Sequence, residues 1–156
     1  MSIKLNCFII FILFFCRSYS QKYETIKLNK VPLKTHFDPM DYNAGIQNWS
    51  FDQDSNGILY IANNDGILEF DGKEWNQLSV PLSTKIRAVK VDHQNRVFVG
   101  GQNQIGYFSN SVDGMTYTSL NNKLKNSNKT ISEIWKIIEI DEKIIFNTGN
   151  TSLVYE

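Results

Sequence analysis

The sequence predicts an all-β chain of short antiparallel strands, and three observations carry that prediction. Apolar residues run or alternate over four to six positions and then stop at clusters of Asp, Asn, Ser and Gly, the pattern of strands joined by tight turns. No stretch after residue 20 sustains a 3.6-residue apolar period. A 38-residue unit also repeats without a gap: with Asp54 set over Asp92, Leu59 falls on Val97, Tyr60 on Phe98, Ile61 on Val99, Ala62 on Gly100, Ile67 on Ile105 and Phe70 on Phe108.

The N-terminus reads as a targeting segment. Lys4 precedes an apolar run of ten residues, Cys7 to Cys16, about half of the roughly 20 residues that a membrane-spanning helix needs. Ser18 and Ser20 place small residues at −3 and −1 of a cut before Gln21, the layout of a secretory signal peptide over residues 1–20. A lipoprotein signal using Cys16 is the alternative, opposed by Phe14 and Phe15, where small residues are needed; an uncleaved anchor is opposed by the short run. Cleavage removes both cysteines, Lys4 and Arg17, leaving 14 basic against 16 acidic residues. Disulfides and thiolate–metal chemistry are then excluded. No basic patch of the kind that grips a phosphate backbone is present.

Residues 21–45 form an entry segment, and the units follow. In the first, over 46–83, strands are expected at 48–53, 58–63, 67–70 and 73–78, with turns at 54–57 and 64–66. Asp71-Gly72 is expected as a two-residue type I′ hairpin turn. The second unit, over 84–130, repeats this plan, with Asp113-Gly114 before a strand at 115–120 and a polar loop from Asn121 to Thr130. A third copy, over 131–156, aligns at a shift of 48: Ile137 falls on Val89, Ile145 on Val97, Phe146 on Phe98 and Gly149 on Gly101.

The second strand of each unit is a continuous apolar run: Ile58 to Ala62, Val97 to Gly100 and Ile144 to Phe146. A sheet with one wet face would alternate, so these strands belong to sheets covered on both faces. Small antiparallel sheets stacked radially meet both demands, and a four-stranded unit of about 40 residues is the size of a propeller blade. The predicted fold is an incomplete β-propeller of about two and a half blades. A two-sheet sandwich is the alternative, and it does not account for a gap-free repeat.

Asn48-Trp49, Asp54, Gly57, Tyr60-Ile61-Ala62-Asn63, Gly66-Ile67, Phe70-Asp71-Gly72 and Trp75 together resemble the regulator-propeller repeat of bacterial two-component and related one-component sensors. The entry Tyr42 to Trp49 resembles the first blade of a subgroup that ends in a helix-turn-helix domain. The resemblance covers roughly residues 40 to 156. Asn95 in place of the turn glycine, and Gln104 in place of Gly66, depart from the pattern. The resemblance implies an extracytoplasmic, non-enzymatic sensory module for a small molecule or glycan. It further implies partner segments in a full-length protein: the remaining blades, a triple-tyrosine β-sandwich, a transmembrane helix and a cytoplasmic output domain. A secreted binding scaffold or lectin is the alternative function, and an enzyme propeller a third.

Candidate chemistry is sparse. Asp52-Gln53-Asp54-Ser55-Asn56-Gly57 matches half of a calcium loop, but Asn63 stands where a bidentate Glu is required. The bland reading is a turn whose Asp and Asn bond the local backbone. His36 and His93 are the only histidines, with no nucleophile placed beside them, and Glu139 and Asp141 are expected at i, i+2 on one strand, where they share a face as many solvated pairs do. Trp49, Trp75 and Trp135 either stack a sugar or pack between units. Asn48, Asn128 and Asn150 each begin a glycosylation sequon, given no role in a bacterial protein. The sequence assigns no catalytic residue, no metal ligand and no cofactor.

Overall fold

The structure is a computed structural model describing residues 33–81, 85–112, 114–124 and 131–156. The signal peptide and residues 21–32 of the entry segment lie outside the described residues, as do Asp113 and the loop residues 125–130. No helix among the described residues is long and apolar enough to cross a membrane.

The body from His36 to Glu156 is all-β: three antiparallel sheets of four, four and three strands, each a simple meander. A one-turn helix α1 (Pro39–Tyr42) leads in, and Asn43 ends it in the left-handed region at φ 47°. The first sheet holds β1 (Asn48–Gln53), β2 (Leu59–Asn63), β3 (Gly66–Phe70) and β4 (Trp75–Leu78). The second holds β5 (Ile86–Val91), β6 (Val97–Gly101), β7 (Gln104–Ser111) and β8 (Gly114–Ser119). After the turn α2 (Asn121–Leu124), the third holds β9 (Lys136–Ile140), β10 (Lys143–Asn147) and β11 (Ser152–Tyr155). The expected polar loop thus begins as a helical turn. Such an array is compatible with propeller blades.

The 38-residue repeat extends to the hydrogen-bond register. Asn48 pairs with Asn63 and Ser50 with Ala62; Ile86 pairs with Gly101 and Ala88 with Gly100. The register shift that skips Trp49 in β1 skips Arg87 in β5. The turns repeat too. Asp54 Oδ1 accepts the N–H groups of Asn56 (2.9 Å) and Ile58 (2.8 Å). Asp92 Oδ1 accepts those of Gln94 (3.0 Å) and Arg96 (2.7 Å). Gly57 has φ 87° and its counterpart Asn95 φ 58°; asparagine is among the few residues that tolerate this region. Asn95 also does what glycine cannot, because its side chain bonds both the N–H and the hydroxyl of Ser55 in the preceding unit.

Two expectations are corrected. Asp71-Gly72 is not a two-residue turn. Phe70 pairs with Trp75, so four residues connect the strands, and of the pair only Gly72 has positive φ, at 96°. The Asp71 carboxylate closes this loop by accepting the N–H groups of Lys73 (2.8 Å) and Glu74 (2.6 Å). The third unit does not keep a shift of 48 beyond β9. Three residues separate Asp92 from Arg96, whereas a two-residue turn, Asp141 (φ 48°) and Glu142 (φ 64°), separates Ile140 from Lys143. One residue fewer slips β10 by one, and a one-residue slip exchanges the faces of a strand. Phe146 therefore lies opposite Phe98, ring centroids 6.1 Å apart across the sheet interface, instead of repeating it.

Two apolar layers join the sheets. Tyr60, Ala62 and Ile67 of the first sheet pack on Ile86, Val89, Val97 and Val99 of the second. Ala88, Phe98 and Ile105 on its other face pack on Ile137, Ile144, Phe146 and Leu153 of the third. Full burial of a side chain such as Phe98 contributes roughly 1.5–3 kcal/mol. Only the middle sheet fulfils the expectation of two covered faces: every residue of β6 is buried, while Leu59, Ile61 and Ile145 in the flanking sheets are half-buried.

Candidate functional site

The first strands of the three sheets lie side by side and are laced by side-chain bonds. Ser50 Oγ donates to Arg87 O (3.1 Å) and accepts from Val89 N (3.0 Å). Asp52 Oδ2 accepts from Lys90 Nζ (2.7 Å) and Val91 N (2.8 Å). Burial acts to raise the Asp52 pKa, but the bonds from Lys90, Val91 and Gln53 together hold it below the usual carboxylate value.

At the head of these strands Arg87 lies between two indoles. Its guanidinium carbon is 3.9 Å from the ring centre of Trp49 and 4.8 Å from that of Trp135. Glu133 is ion-paired to Arg87 Nε, and Trp49 Nε1 donates to Asn64 Oδ1 (2.9 Å). The three stacked residues occupy one repeat position, since Trp49 lies 38 residues before Arg87 and Trp135 lies 48 after it. In β1 and β5 that position is the bulge, which turns a side chain out of the regular alternation. A desolvated cation–π contact contributes up to about 2 kcal/mol.

Beside the stack runs a groove of about 320 Å³ lined by Ser50–Asp52 of β1, Ala88–Lys90 of β5, Lys136 and Ile137 of β9, and Trp135 just before β9. Trp135 is 51% exposed, so part of its ring is open to a ligand. Lys90 and Arg87 are already paired with Asp52 and Glu133, and Lys136 adds a further positive charge to the lining. The arrangement suits a ligand with a flat apolar face and hydrogen-bonding or anionic substituents.

The other candidates fall elsewhere. Asp52 and Asp54 do not converge, because their oxygens are engaged by Lys90 and Val91 in one case and by the turn in the other. Among the described residues, no group of three or more His, Cys, Asp or Glu side chains comes together. His36 is exposed beside Asp38 (3.2 Å). His93 joins the second and third sheets, its Nδ1 lying 2.6 Å from Glu139 Oε1, and that hydrogen bond raises its pKa. Glu139 and Asp141 are not a strand pair, since β9 ends at Ile140 and Asp141 belongs to the turn. Trp75 stacks on Phe70 (4.3 Å) and meets Phe37 and Tyr42, fastening the entry segment to the outer strand β4.

Arg87 is the site residue that motif reading misses. The signal is in the repeat itself: the two shifts place Trp49, Arg87 and Trp135 in one column, and alternation of an arginine with tryptophans in a column is a stacking pattern. No protein-family model matches this sequence, and no curated protein matches it.

Proposed function

We propose that this chain is the ligand-sensing β-propeller module of an exported bacterial signal-transduction regulator, and that it acts by binding, not by catalysis. The observation that carries the binding reading is the groove, lined by the first strands of all three sheets and by the open indole of Trp135. A ligand held there touches the first strands of all three sheets, so its binding free energy acts on how the sheets sit against one another. A sensor needs such coupling between a site and a movable element. The sensory assignment and export rest on the sequence resemblance and on the N-terminal segment. The second reading is a secreted binding scaffold, favoured by the same groove without the signalling role.

Tryptophan fluorescence titrations against a panel of oligosaccharides and small organic acids test the site. A ligand that changes the emission of the wild-type chain and loses about tenfold or more in affinity with Trp135→Ala (roughly 1.4 kcal/mol) supports it. A ligand whose affinity is unmoved by Trp135→Ala overturns the groove as the site. Transcript profiling with and without that ligand, in cells with and without the gene, separates the two readings. An unchanged response leaves the scaffold.

A further inference from the structure

The three sheets form a directional series. Each has a leading face toward the preceding sheet and a trailing face toward the next. In the second sheet the leading face is Val89, Val97 and Val99, all buried on the first sheet. The same positions in the first sheet are Phe51, Leu59 and Ile61, and no sheet among the described residues covers them; Phe51 is 75% exposed. Grooves of about 420 and 400 Å³ flank Phe51, and both are lined by Phe51 and Leu59. The trailing face of the third sheet is the in-register row Ile138, Ile145 and Val154, with Ile140 at its edge. Val154 is 58% and Ile140 50% exposed.

We propose that copies of this chain associate head to tail, the trailing face of the third sheet of one copy packing on the leading face of the first sheet of another. The occupant follows from the series. Twice within the chain a trailing face packs on a leading face at these same repeat positions, and the two uncovered faces are one of each kind. The contact continues the internal stacking with apolar residues of the same class, and the protruding Val154 and Ile140 meet a face that offers grooves. Such an interface is heterologous: the two surfaces differ, so a second copy leaves one of each still open unless the array closes. This inference rests on the stacked-sheet fold and is independent of the ligand reading.

The test uses the 156-residue chain with Phe51→Glu, which spoils the leading face, and Val154→Glu, which spoils the trailing face. Both side chains are mainly exposed, so both variants should keep the wild-type circular dichroism and urea midpoint; Ile140→Glu replaces any variant that does not. Light scattering over a concentration series should show association in the wild type and monomers in each variant alone. An equimolar mixture of the two variants retains one intact pair of faces and should stop at a dimer containing one of each. A monomeric wild type, single variants that associate like the wild type, or a mixture that stays monomeric would each overturn the proposal. Residues 1–32 are common to every arm, so association through them would appear as persistence in both single variants.

Discussion

Asp54 and Asp92, 38 residues apart, close their turns with the same two hydrogen bonds, from the backbone N–H groups two and four residues later. They differ in surroundings. Asp92 is buried and also holds Arg96 Nε at 2.7 Å, whereas Asp54 is half-buried.

Asp54→Ala should therefore cost about 1 kcal/mol, the scale of a lost local cap. Asp92→Ala should cost about 2–4 kcal/mol, because it also leaves the partly buried Arg96 without its partner. Urea melts of the two variants measure the difference, and equal losses would mean that the Arg96 pair contributes nothing.

Arg87→Ala should destabilise by about 2–3 kcal/mol, since it uncouples both indoles and strands Glu133. Arg87→Lys should recover only part of this, because an ammonium lacks the flat, delocalised face that lies between the rings. Emission from Trp49 and Trp135 gives an independent reading. A spectrum unchanged in Arg87→Ala would contradict the stack.

The His93–Glu139 contact should make stability pH-dependent in one direction. The hydrogen bond to Glu139 raises the folded-state pKa of His93. Its contribution is then fully present below the unfolded value of about 6.5 and is lost as pH rises through the folded value. The urea midpoint of the wild type should exceed that of His93→Gln by more at pH 5.5 than at pH 8.5. A constant difference, or a larger one at high pH, would contradict the assignment, and an NMR titration of the ring reports the pKa directly.

Millimolar calcium should leave the melting temperature unchanged. Asp52 is bound to Lys90 and Val91, and Asp54 Oδ1 is occupied by the turn, so a cation would have to displace these bonds. A calcium-dependent rise in melting temperature that disappears in Asp54→Ala would overturn the turn reading.

Gly101→Ala should cost about 1–3 kcal/mol, the usual range for overpacking. A methyl group there would be driven onto the backbone carbonyl of Lys85, which has little freedom to yield. A urea melt checks this, and a neutral effect would mean that β5 moves aside easily.

The sequence by itself determined the strands, their antiparallel order and the 38-residue unit, because period-2 alternation, turn residues and apolar runs are local features that survive without neighbours. It also placed Asp54 and Asp92 in matching turns, since a carboxylate that bonds its own backbone acts within five residues. What it left to the tertiary structure is whatever depends on facing. The loss of one residue at Asp141-Glu142 exchanged the faces of β10 and set Phe146 against Phe98 instead of in its place. The Trp49–Arg87–Trp135 stack, the Asp52–Lys90 and His93–Glu139 bridges, and the difference between a covered β6 and the half-bare β2 and β10 all join residues about 40 positions apart or more. Such contacts exist only once sheets pack, and packing selects among side chains that local pattern treats as equivalent.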